Sequence, residues 1–122
     1  MNEGADIRNP KGVQVQFPFV GGCVSLWTED IIYVMTDRHK NIFHTTERDY
    51  GIYRKLDEIE RELTDYNFVR VHQSYLVNMR YVEKISSYVM YLTTGEELSV
   101  PKSRYQNVKR AFSTYQTDEH LY

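Results

Sequence analysis

Three short stretches of this 122-residue chain set cations beside side chains that can read a hydrogen-bonding pattern: Arg38-His39-Lys40, Arg70-Val71-His72-Gln73 and Lys102-Ser103-Arg104. Lysine and arginine donate to the two acceptors on the guanine edge, and glutamine pairs bidentately with adenine. Histidine donates or accepts at either ring nitrogen. Arg70, Arg80 and Lys84 have the character of phosphate contacts, which supply affinity without reading sequence. Such tips on one face would be the minimum equipment of a duplex-DNA reader.

All three stretches fall at breaks in apolar patterning. Phe68, Val69 and Val71 alternate with Arg70 and His72 as a strand, and the alternation stops at Gln73-Ser74. Tyr75, Leu76 and Val77 then turn the chain, and Asn78 stands where a short amide bonds neighbouring backbone. Ile31 to Met35 is the most apolar run and predicts a buried central strand. Thr36 to Asn41 follows as a polar hairpin tip, and Ile42 to Thr46 resumes the strand pattern.

The remaining elements frame these tips. Val13 to Phe19 and Cys23 to Trp27 read as strands around a Gly21-Gly22 turn, and Thr28-Glu29-Asp30 as a turn capped by the threonine oxygen. Glu47 to Gly51 is a further turn and short strand. Leu56, Ile59 and Leu63 recur at helical spacing between residues 53 and 65, with an acidic opposite face that reads as ordinary solvated surface. Tyr81 to Ile85, Tyr88 to Thr93 and Leu98 to Val100 form a meander with Ser86-Ser87 as its tight turn. Pro101 then admits a closing helix near 102–114 with Tyr105, Val108 and Phe112 inward.

Composition sets the bounds. The length suits one core, expected over 13–114, with 1–12 as a flexible tail or linker stub and 115–122 as a polar, fraying tail. Apolar residues at 41% and charged residues at 26% are globular values, and eleven tyrosines with five phenylalanines favour strands. The fold class expected is mostly β with two helices. A formal net charge of -2 means that any basic surface must be local. Cys23 has no intramolecular disulfide partner and, beside Val24 and Leu26, is expected to be a small buried residue in a reducing compartment. Nothing reads as a signal peptide or a membrane span, so the expected location is cytoplasmic.

The run Phe68-Val-Arg70-Val-His72-Gln73-Ser74-Tyr75-Leu-Val77-Asn78 resembles the core signature of the LytTR DNA-binding domain, the output module of many bacterial response regulators of the accessory-gene-regulator and competence type. Glu29 to Tyr33 is similar to that family's strand entry, Leu56 to Leu63 to its helix, and Gly95 to Lys102 to its last strand and final loop, so the likeness covers about Val13 to Phe112. It implies an elongated set of small antiparallel β-sheets, a β-β-β sandwich whose loops enter successive major grooves of bent double-stranded DNA, with two copies on direct repeats. It implies base contacts from His39, Gln73 and Lys102 and places His72, Ser74 and Asn78 in the signature turn. The basic residues Arg38, Lys40, Arg70, Arg80, Lys84 and Arg104 are expected, from their chemistry, to contact the DNA backbone. The chain departs from many members at Gln73, where arginine is common, and at Pro101-Lys102, where arginine or a serine-arginine pair is, departures that bear on the bases read and on the strength of the last contact. The family's phosphate-accepting receiver domain is absent from these residues.

Other classes stay in view. A protein-interaction module could use strand edges and the acidic helix without nucleic acid. A metal-dependent enzyme built on His39, His44 and His72 lacks the close ligand cluster such sites use, and no glycine-rich phosphate loop or nucleophile motif appears. The expectation is a non-enzyme with no cofactor, metal, membrane or small-molecule substrate.

Overall fold

The computed structural model describes residues 12–120, so the tail expected at 1–12 lies almost wholly outside the described residues. A hairpin of β1 (Gln14–Phe19) and β2 (Gly22–Trp27) opens the chain, and a 3-10 turn at Thr28–Asp30 leads into β3 (Ile31–Asp37). Then come β4 (Lys40–Thr45), β5 (Asp49–Ile52), α1 (Leu56–Leu63), a 3-10 turn at Thr64–Tyr66, β6 (Phe68–His72) and β7 (Tyr75–Asn78). A third 3-10 turn, Met79–Tyr81, precedes β8 (Val82–Ser86), β9 (Val89–Leu92), β10 (Glu97–Ser99) and the closing α2 (Lys102–His120). All pairings are antiparallel: β1-β2, β10-β9-β8, and a five-stranded sheet in the order β5-β4-β3-β7-β6.

The five-stranded sheet is the middle layer because successive residues of its strands feed two different cores. Val34 and Leu76 join Phe17, Phe19, Phe43, Ile52 and the α1 residues Leu56, Ile59 and Leu63 on one side. Tyr33, Val71 and Val77 join Val82, Met90, Leu98, Val100 and Val108 on the other. Burial on both faces is why Ile31 to Met35 reads as a continuous apolar run rather than an alternation. Phe17, Phe19 and Phe43 pack with ring centroids 4.9–5.7 Å apart, which places β1 and β2 as a lid over the first core.

Four local readings change. Cys23 is exposed, because the β1–β2 register turns Val24 and Leu26 inward and leaves Cys23 on the outer face. The Thr28 hydroxyl accepts not from its own turn but from the Val13 N–H, 3.3 Å away across the open end of the β1–β2 hairpin. Tyr75 to Asn78 is a strand rather than a turn, paired to both β3 and β6. The closing helix continues to His120, past the Thr114 at which the sequence pattern ends it.

Asn78 is 3% exposed and ties three segments together. Its Nδ2 donates to Thr28 O at 3.2 Å and Ile31 O at 3.0 Å, and its Oδ1 accepts from Arg80 N at 3.0 Å. Removing the amide takes a donor from Ile31 O and from Thr28 O, which keeps the Ile31 N–H, and leaves the Arg80 N–H without its acceptor, so Asn78→Ala is expected to lower unfolding free energy by about 2–4 kcal/mol. A urea titration measures this, and a loss below about 1 kcal/mol would contradict the clamp.

Candidate nucleic-acid interface

The β3–β7 pairing brings two hairpin tips to one end of the middle sheet. Tyr33, Val34 and Met35 oppose Val77, Leu76 and Tyr75, so β3 runs toward its tip while β7 runs away from the other. The first tip is tighter than the six-residue loop expected: Asp37 pairs with Lys40 and only Arg38 and His39 make the turn, Arg38 at φ 63°. The second is the two-residue turn Gln73-Ser74 between β6 and β7, and Thr36 N donates to Ser74 O at 2.9 Å to link the tips. Arg38, His39, Lys40, Arg70 and Gln73 border one open hollow of about 330 Å³.

Each tip is held from behind. Thr36 Oγ1 donates to Asn41 Oδ1 at 2.6 Å, and the buried Asn41 donates from Nδ2 to Arg54 O at 2.6 Å. In the second tip Ser74 N donates to His72 Nδ1 at 3.0 Å, which assigns the ring proton of a neutral His72 to Nε2. The His72 ring lies 5.0 Å from Tyr75. His72, Ser74 and Asn78 therefore bond within the scaffold, whereas the side chains of His39, Gln73 and Lys102 engage no partner among the described residues.

Lys102 and Arg104 stand apart from the hollow, at the start of α2. The later part of that helix borders Asn67 and Met79 at the end of β6 and β7 away from the tips, and α2 packs along β6. Its first turn thus points back toward the end that carries Gln73. The turn between β8 and β9 is Ser87–Tyr88, one residue later than the Ser86-Ser87 expected, because Ser86 pairs with Val89. Val100 N donates to Tyr88 O at 2.9 Å, and the Tyr88 and Tyr105 rings are 4.3 Å apart, which fixes the Pro101-Lys102 junction against that turn. On β8, exposed Lys84 lies over the Tyr91 ring at 4.8 Å.

Two expected backbone contacts are placed differently. Arg80 borders Asn67, Asn78 and Tyr115 at the opposite end from the tips and lies 3.8 Å from Glu29. Arg70 is 11% exposed, and its guanidinium already holds Asp57 and Glu60, both at 2.8 Å. The acidic face of α1 is therefore not merely solvated, since Arg54 also pairs with Glu58 and Glu62. Sequence reasoning missed two further residues at the hollow: Lys55, exposed just before α1, and Tyr53, 69% exposed beside the Arg38-His39 tip. Their only signal is a basic and an aromatic residue flanking a helix start.

Histidines do not gather into a metal site. His44 Nδ1 lies 3.0 Å from Asp49 Oδ1 and its ring stacks on Tyr33 at 4.4 Å, and no three potential ligands cluster among the described residues. No helix among them is long and apolar enough to cross a membrane.

The family profile for the LytTr DNA-binding domain matches residues 21–113. The chain belongs to the LytTr DNA-binding domain family. It is 34% identical over 89 residues to the sensory transduction protein LytT of Bacillus subtilis, covering 68% of this chain and 36% of that protein. It is 27% identical over 86 residues to the transcriptional regulatory protein LytR of Staphylococcus aureus, covering 66% and 35%. The chain thus spans about a third of the length of these relatives. A solved LytTr DNA-binding domain from Bacillus cereus shares the fold, with TM-score 0.67 and 21% identity over 81% of this chain and 94% of that one. The mostly β architecture with two helices is that of the family.

Within this LytTr domain the Arg70 guanidinium, by hydrogen bond and charge, holds the Asp57 carboxyl below its usual range, opposed by desolvation and aided to a lesser degree by Arg61 and Lys55. A carboxylate whose folded pKa is depressed contributes stability above its unfolded pKa and loses it as pH falls through the folded value. The melting-temperature gap between wild type and Asp57→Asn is expected to be widest near neutral pH and to close below the ordinary aspartate range. A gap independent of pH would contradict this pairing.

Proposed function

We propose that the chain binds double-stranded DNA sequence-specifically and regulates transcription in bacteria, acting where the chromosome lies, in the cytoplasm. The observation that carries this reading is the pair of tips, Arg38-His39 and Gln73-Ser74, set at one end of a rigid sheet with side chains free to bond a partner. Tips that emerge from one sheet end can enter a major groove, which is wide enough to admit a two-stranded ribbon. His39 and Gln73 then meet base edges, Gln73 with the paired donor and acceptor that adenine matches. Lys102, on the first turn of α2, reaches the adjacent groove with an ammonium whose N–H donors suit the two acceptors of guanine.

Arg38, Lys40, Lys84 and Arg104 supply phosphate contacts around these points, and exposed Lys55 adds one beside the hollow. Contacts on successive grooves favour bending of the duplex, and direct repeats place two copies on the same face. The charge of the whole chain, -2, makes affinity depend on this local cluster.

Selection from a randomised duplex pool, followed by fluorescence anisotropy across a salt series, tests the proposal. Binding is expected to weaken steeply with salt as phosphate neutralisation releases counterions, and failure to bind any duplex at low salt would overturn it. Gln73→Ala and Lys102→Ala are each expected to cut the preference for the selected site by about 1–3 kcal/mol, relaxing one or two positions. Arg38→Ala should weaken selected and random duplexes alike. Uniform losses in all three variants would refute the division between base-reading and phosphate-binding residues.

A further inference from the structure

We propose that Arg70 is a positioning residue for base reading: its guanidinium fixes the Gln73 tip from behind, with the acidic face of α1 as the abutment. The inference rests on the reading of Gln73 as a base contact. Arg70 Nε donates to His72 O at 2.9 Å and its NH2 donates to Gln73 O at 2.6 Å. Its NH1 donates to Asp57 Oδ1 and Glu60 Oε1, both at 2.8 Å. One planar group thus holds two consecutive carbonyls of the tip and two carboxylates of the neighbouring helix, using the fixed fork geometry that lysine lacks.

The geometry leaves little for DNA. Only 11% of the Arg70 side chain is exposed, and two carboxylates outweigh its single charge, so a phosphate arriving there meets net negative charge. The Asp57 side chain is 71% exposed beside a surface that faces DNA, where a carboxylate opposes binding. Its presence there is accounted for by the tip it steadies. The β6–β7 pairing slips in register between Arg70 and His72, so the ladder is interrupted just before the turn and the guanidinium replaces the missing constraint. Ser74 is held by the His72 ring and by Thr36 N, so all three tip residues are tied through their backbone while the Gln73 side chain is left free. A preformed tip loses less conformational entropy on binding than a mobile one.

The sign of the carboxylate effect makes the test sharp. The full chain is titrated with the selected duplex and with random duplex across a salt series, as wild type, Arg70→Ala, Arg70→Lys and the double variant Asp57→Asn/Glu60→Gln, with a melting curve for each to establish folding. Arg70→Ala is expected to lower the selected-to-random ratio by about tenfold, on top of the uniform weakening that the loss of one cation beside Asp57 and Glu60 imposes on both duplexes. Arg70→Lys keeps the charge and should still lose ratio. The double variant should lower the ratio too, although removing acidic charge alone would tighten all duplexes.

A salt slope reduced by about 1 in Arg70→Ala, with equal losses on both duplexes, would instead make it a phosphate contact and overturn the inference. Full restoration by Arg70→Lys, or a double variant that tightens both duplexes with the ratio unchanged, would overturn it as well. NMR order parameters of the free protein separate this from the base-reading proposal, since no DNA is involved. Residues 72–74 are expected to fall below about 0.6 in Arg70→Ala with the strands still rigid. A tip as rigid as wild type overturns the positioning role even where Gln73→Ala supports base reading, and a Gln73→Ala ratio equal to wild type overturns base reading itself.

Discussion

The amide of Asn78 is the constraint on which the arrangement of layers depends. At the end of β7 it holds Thr28 O and Ile31 O, which flank the entry to β3, and accepts from Arg80 N in the turn that leads to β8. Tyr81 adds a second tie from that turn, its hydroxyl donating to Glu29 O at 2.6 Å. A buried amide with all these partners tolerates no slip, because a one-residue shift of β7 against β3 would exchange Leu76 and Val77 between the two cores. The same register decides which residues stand at the opposite end of the sheet, where Thr36 meets Ser74.

From that register follows a division of labour along the signature run. Phe68 and Leu76 pack with the phenylalanines and α1, Val71 and Val77 pack toward α2, and the polar residues between them either bond the backbone or stay free. Electrostatics follows the same geometry. Four acidic residues of α1 lie next to the tips and are held by Arg54 and Arg70, whereas Arg38, Lys40 and Lys55 at the hollow make no ion pair among the described residues.

Most of this was legible from pattern because it depends on near neighbours in the chain. The alternation of β1, the continuous apolar run of β3, the helical spacing of Leu56, Ile59 and Leu63, and the break at Gln73-Ser74 all mark their elements directly. What was not legible depends on distant partners. Cys23 lies outward because of its register with Pro18, Thr28 bonds a residue fifteen positions away, and Arg70 meets carboxylates ten and thirteen positions before it. A cation in a strand looks the same in sequence whether a helix neutralises it or solvent surrounds it. The polar residues after Thr114 hid the length of α2 because its outer face has no core to pack against.

The most direct test of the central claim, that the two tips and the start of α2 form one DNA-reading end, is an NMR titration of the folded chain with a selected duplex. The interface described here predicts shift changes concentrated at Arg38–Lys40, Gln73–Ser74 and Lys102–Arg104, with Asn67, Arg80 and the β1–β2 turn unmoved. Changes centred on Asn67 and Arg80, with His39 and Gln73 unperturbed at saturation, would contradict it.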